Sequence, residues 1–161
     1  SDVCSSDLTR KSTSGGVALL GNHCIKGWST TQNVIALSSG EAEFYGIVKG
    51  ASVSLGIKSV MKDLGISRKI RINTDASAAK GIASRRGLGK VRHIEVNQLW
   101  IQDRVGKGEI EIRKIDGGIN IADSLTKHVE QETLNRHVRE VGMQFDMGRH
   151  KLMPKIAVDE S

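Results

Sequence analysis

The chain has 161 residues, enough for one domain with a sizeable core; 38% are apolar and only 3% aromatic. Cys4 and Cys24, its only cysteines, have no CxxC partner and no nearby His pair, which argues against a zinc module or a disulfide framework and predicts reduced thiols. No signal peptide is visible, no apolar run approaches the ~20 residues that span a bilayer, and 24 Lys+Arg against 18 Asp+Glu leave +6; a soluble chain with no membrane partner, open to a polyanion, is expected.

Residues 1–8 (SDVCSSDL) are small and polar and do not read as a strand. Residues 15–20 (GGVALL) and 23–29 (HCIKGWS) flank Gly21-Asn22, a two-residue turn signal that predicts a hairpin. Ser38 and Glu41 have capping-box spacing. A long helix is predicted after them, with Phe44, Val48, Ala51, Leu55, Val60 and Leu64 among its apolar positions and Gly65 as its stop. Residues 70–74 (IRINT) alternate as a strand. Asp75 then stands at the cap of a short helix.

Residues 85–92 (RRGLGKVR) form a basic, glycine-containing loop. A second long helix is expected over 93–105, a strand over 109–115 and a loop at Asp116-Gly117-Gly118. A last helix opens near Ile121 and runs on towards Val141. The order strand, strand, helix, strand, helix, helix, strand, helix indicates an α/β domain with a mixed sheet. The expected division is a leader at 1–8, a domain at 9–141 and a tail at 142–161.

Three carboxylates draw attention. Glu43 is read on the first turn of the long helix, Asp75 at a strand end, and Asp123 at the start of the last helix. Sites in open α/β sheets form beyond the carboxyl ends of strands, so Asp75 is at such an end and Asp123 can reach it across a loop. Carboxylates gathered there repel one another and need a cation; hard oxygen ligands select magnesium or manganese. Two such ions ~4 Å apart would activate water and stabilise a leaving oxygen in phosphodiester cleavage. The competing reading is local: an aspartate before a helix as a cap, and a first-turn glutamate as a dipole partner.

Five ordered motifs separate these readings: TRKSTSGG (9–16), IALSSGEAEFYG (35–46), INTDASAAKG (72–81), VRHIEV (91–96) and NIADSLTK (120–127). Together they resemble the ribonuclease H domain of the Pol polyprotein of copia-type LTR retrotransposons, over about residues 9–127. The resemblance implies a ribonuclease H-like mixed sheet flanked by helices. It also implies hydrolysis of the RNA strand of RNA–DNA hybrids during reverse transcription, with two Mg²⁺ or Mn²⁺ ions. By motif match the catalytic, metal-holding acids fall on Glu43, Asp75 and Asp123, leaving Glu41 for the capping box. The implied partners are the hybrid and the reverse transcriptase of the same polyprotein, in cytoplasmic virus-like particles or the nucleus.

The chain departs from the pattern. The family places a D-x-D-W-A-G strand before the TRKSTSG motif, and SDVCSSDL has no trace of it. The leader resembles foreign sequence joined at a break, such as a sequencing artefact. The missing strand is central in the family's sheet, between the hairpin and the fourth strand. Its loss is expected to expose strand edges, remove one metal ligand and leave the isolated chain unstable.

Hybrid recognition needs backbone contacts and a test for the 2′-hydroxyl. Arg10, Lys11, Ser12, Thr13 and Ser14 are of suitable type, and so are Arg85, Arg86, Lys90 and Arg92; a solvated loop is the alternative for each. His93 is read as an orienting or packing residue ahead of one that moves protons. Trp28 and Trp100 fit a core better than a stacking platform. Two other functions stay open: a catalytically inactive nucleic-acid-binding remnant, and a structural tether for the reverse transcriptase.

Overall fold

The computed structural model describes residues 11–87 and 99–143. The leader, Arg10, Lys90, Arg92, His93 and nearly all of the tail lie outside the described residues. Strand β1 (Thr13–Leu20) pairs antiparallel with β2 (His23–Thr31), from Thr13↔Thr31 to Leu20↔His23. Gly21, at φ +61°, supplies the left-handed backbone that the turn requires.

Helix α1 (Ser39–Asp63) begins as its capping pattern predicts, with one difference. Ser38 Oγ accepts the Glu41 amide at 3.2 Å, while the Glu41 carboxylate accepts the amide of Leu37, at 2.8 Å, one residue before the cap. Phe44, Ile47, Val48 and Ala51 are buried on one face at i, i+3, i+4, i+7 spacing. Gly65, at φ +77°, closes the helix: its amide bonds Lys62 O and that of Ile66 bonds Met61 O, a Schellman motif. The apolar pattern outruns the buried face, because Val60 and Leu64 are exposed. A helix of 25 residues is ~37 Å long and overshoots five-residue strands of ~17 Å.

Strand β3 (Ile70–Thr74) runs parallel to β4 (Ile110–Lys114), with Ile70↔Ile110 and Thr74↔Lys114 in register. Helix α2 (Ser77–Ser84) follows β3, and α3 (Trp100–Gly106) precedes β4. Of the helix expected over 93–105, the part up to residue 98 lies outside the described residues. Phe44, Ile101 and Ile110 are the largest fully buried side chains. Ile70, Ile82 and Ile112 join them in one core, against which Trp100 packs. Helix α1 packs against both β1 and β3, so both strand pairs meet the same helix.

The last helix is broken. Two short 3₁₀ turns, Gly117–Ile119 and Ile121–Leu125, precede α4 (Gln131–Glu140). Asp116 Oδ1 takes the Gly118 amide and Asn120 Oδ1 the Ala122 amide, at 2.8 and 3.2 Å. Such side chains offer the backbone local partners that compete with helix propagation.

The chain is thus a mixed α/β structure. Among the described residues its strands form two separate two-stranded sheets. The β1 edge away from β2 and the β3 edge away from β4 have no strand partner there. Among the same residues no helix is long and apolar enough to cross a membrane.

Candidate carboxylate site

Parallel pairing of β3 and β4 brings their carboxyl ends together, where Ile115 N donates to Thr74 O at 2.9 Å. Asp75 follows Thr74 and is not a cap. The α2 N-cap is Ala76, without a side-chain cap bond, and Thr74 Oγ1 takes the Ala76 amide at 3.2 Å. The loop after β4 passes close by: a Cβ built on Gly117 would lie 3.4 Å from Asp75 Oδ2.

Glu43 is past the first turn of α1, whose acidic residue is Glu41. The dipole role therefore belongs to Glu41. Asp123 lies in the second 3₁₀ turn, not on a helix, and Asn120 is the residue that caps that turn. Asp123 Oδ1 accepts from Asn120 Nδ2 at 3.2 Å, and Oδ2 pairs with Lys127 Nζ at 3.2 Å. The Lys127 amide donates to Asp123 O at 2.8 Å, which holds the lysine on the aspartate's side of the turn.

Glu43 and Asp123 face a common cleft of about 270 Å³, walled also by residues 12–15 and Gly46. Water reaches Glu43, but the walls displace part of its hydration shell and push its pKa up. The charge of Asp75 pushes the same way, and so does that of Asp123, while Lys127 opposes them. Loss of hydration alone would lower the Lys127 pKa. The hydrogen bond and charge of Asp123, then Asp75 and Glu43, raise it instead. The three acids and one ammonium therefore form a single electrostatic cluster.

The donor chemistry suits a hard divalent cation, since all three acids are oxygen ligands that repel one another. Their spacing is more open than that. Among the described residues no three His, Cys, Asp or Glu side chains stand where they could hold one ion. The cation held at Asp123 is the ammonium of Lys127.

Of the residues expected at substrate, Ser12, Thr13 and Ser14 line the cleft. Ser14 is buried and its Oγ accepts from Gln32 Nε2 at 2.8 Å, a bond that ties β1 to the end of β2. Lys11 is half-buried and does not line the cleft. Arg85 and Arg86 follow the far end of α2, ~12 Å along that helix from Asp75. Gln102, which bonds Ile82 O and both backbone groups of Gly87, anchors the start of that loop. Trp28 packs over Gly16, where a Cβ would lie 2.1 Å from its ring, but it is half-buried on the hairpin and outside the core that Trp100 packs against. Lys127 and Asn120 were not singled out in the sequence, although both belong to the NIADSLTK motif. Their spacing from Asp123, i+4 and i−3, was the available signal.

The chain is similar to retrovirus-related Pol polyproteins of plant transposons. It is 27% identical to that of transposon TNT 1-94 from Nicotiana tabacum over 136 residues, which cover 83% of this chain and 10% of the relative. It is 26% and 27% identical to those of transposons RE1 and RE2 from Arabidopsis thaliana, each over 82% of this chain and 9% of the relative. The chain thus spans about a tenth of the length of these curated relatives. No family model and no solved structure matches it.

Proposed function

We propose that the chain is the ribonuclease H portion of a retrotransposon Pol polyprotein. It would hydrolyse the RNA strand of RNA–DNA hybrids alongside the reverse transcriptase of the same polyprotein. The observation that carries this reading is the coupling of Glu43 to both Asp75 and Asp123, three acids from distant parts of the chain. Helix α1 packs against both β1 and β3, which suits a helix flanking a ribonuclease H-like sheet.

Glu43, Asp75 and Asp123 would hold two Mg²⁺ or Mn²⁺ ions. Such ions supply an activated water and neutralise charge on the scissile phosphate. The chain's own part is to aim the acids: β3 fixes Asp75, the capped start of α1 fixes Glu43, and the Asn120 turn fixes Asp123. Ser12 and Thr13, which line the same cleft, offer hydroxyls to a sugar-phosphate backbone.

A second reading has its own observation. The acids are not spaced to hold an ion and Lys127 neutralises Asp123, which favours a nucleic-acid-binding remnant without catalysis. Hybrid cleavage with magnesium, before and after Asp75→Asn, decides between them. The nuclease reading expects a loss of about 10³-fold, the scale of several kcal/mol of metal stabilisation. Cleavage unchanged in the variant removes Asp75 from the mechanism. Salt-sensitive hybrid binding with no cleavage by either protein supports the remnant.

A further inference from the structure

Two neighbouring residues of α4 reach the loop beside Asp75 and the turn that carries Asp123. Arg136 Nη2 donates to Gly118 O at 2.6 Å, in the loop that lies against Asp75. His137 is only 3% exposed, and its Nδ1 stands 3.2 Å from Oγ of Ser124, the residue after Asp123. The bond directions follow from counting hydrogens. Ser124 has one hydroxyl hydrogen, and it goes to Ile121 O at 2.9 Å. Its oxygen therefore accepts from Nδ1–H of His137. Nε2 is buried and has no hydrogen-bond partner among the described residues. Leaving that atom dry costs free energy that an apolar side chain of similar size would not. A ring serving only to fill space has no reason to be a histidine. The same turn is held from its other side by Ser29 Oγ, which donates to Leu125 O at 2.7 Å.

We infer that His137 is a positioning residue for Asp123: its Nδ1–H bond to Ser124 locks the Ile121–Leu125 turn and so fixes the direction of the Asp123 carboxylate. The locking of the turn stands on geometry alone; its consequence for metal binding rests on the nuclease reading.

The test compares the protein with His137→Leu, His137→Asn and Ser124→Ala. Asparagine puts an N–H close to where Nδ1 stood but loses the ring, whereas leucine keeps bulk and loses the donor. Hydrogen exchange is read at the amides of Thr126 and Lys127, which both donate to Asp123 O, at 3.1 and 2.8 Å. Expected is about tenfold faster exchange in His137→Leu and Ser124→Ala, with His137→Asn within about threefold of the parent. Equal exchange in the leucine and asparagine variants, or parental exchange in Ser124→Ala, overturns the inference. Because Ser124→Ala also removes the bond to Ile121 O, His137→Phe, a ring without a donor, replaces His137→Leu if that variant does not fold. Calorimetric Mn²⁺ binding is the second readout. On the nuclease reading, affinity falls about tenfold in His137→Leu and returns in His137→Asn, as for other residues that orient a ligand. If no protein binds Mn²⁺ while the exchange pattern holds, the metal reading fails and the positioning role stands. Equal Mn²⁺ affinity in all four, with equal exchange, overturns the positioning role and leaves the metal reading intact.

Discussion

The two strand pairs differ in what lies against them. The β3–β4 pair is short but buried: Ile70, Ile110 and Ile112 are core residues under α1, α2 and α3. The β1–β2 hairpin is longer, yet β1 buries only Ser14 and Gly16, and β2 buries nothing. Strand length therefore says little about which half stabilises the fold; burial decides it. The hairpin's contribution is positional. It is held by Trp28 packing, the Gln32 bonds and the Ser29–Leu125 bond, and it brings Ser12 and Thr13 to the cleft that Glu43 lines.

Truncation on either side should expose this asymmetry most strongly. Phe44→Ala empties the centre of the core and should cost about 3–5 kcal/mol, while Trp28→Ala, on a half-buried ring over the hairpin, should cost about half as much. Urea unfolding of both variants measures the pair. Equal losses would mean that the hairpin is as integral to the cooperative unit as the buried sheet.

Glu43 is the neighbour of Phe44 and faces the cleft, where the two regions meet. Its raised pKa means that the folded chain holds the proton more tightly than the unfolded one does. Its contribution to stability is full below the ordinary value of 4.5 and is lost as pH rises through the folded value. Glu43→Gln should therefore melt at a higher temperature than the parent at pH 7 in EDTA, and the gain should vanish below pH 4.5. A gain that is the same at both pH values would trace to packing instead of charge. A lower melting temperature at pH 7 would mean that Lys127 outweighs the lost hydration and both aspartates together.

Much of the fold was legible because its signals are local. Gly21-Asn22 marked the hairpin, Ser38 and Glu41 the start of α1, and the alternation in IRINT the strand β3. The misreadings were local too. Apolar spacing could not show that α1 outruns its sheet, because Val60 and Leu64 look like core until the strand lengths are known. Asn120 is of a type common just before helices, so the short turn that it caps read as the start of one long helix. The site was legible in a different way. Spacing gave Glu43, Asp75 and Asp123 no priority over caps and dipole partners, and family resemblance alone selected them. Their coupling is tertiary, created by the carboxyl ends of β3 and β4. The same holds for His137, whose partner Ser124 is a neighbour only after the chain turns back into α4.

The smallest expected effect tests whether the cluster differs from the rest of the surface. Asp103 and Lys107 pair at i,i+4 just as Asp123 and Lys127 do, and at a shorter distance, 2.7 against 3.2 Å. Both members of the first pair are well exposed, and among the described residues no other acid is hydrogen-bonded to Lys107. Asp103→Asn should therefore cost about 0.3–0.5 kcal/mol, fading towards zero at ~1 M salt. Asp123 is more enclosed, and removing its charge also relieves Glu43 of a repulsion, so the two effects oppose each other. Geometry alone would make the shorter pair the stronger. If Asp103→Asn and Asp123→Asn instead show the same loss and the same salt dependence in thermal melts, Asp123 behaves as one more surface acid. The case for a cluster built around it would then lose its electrostatic support.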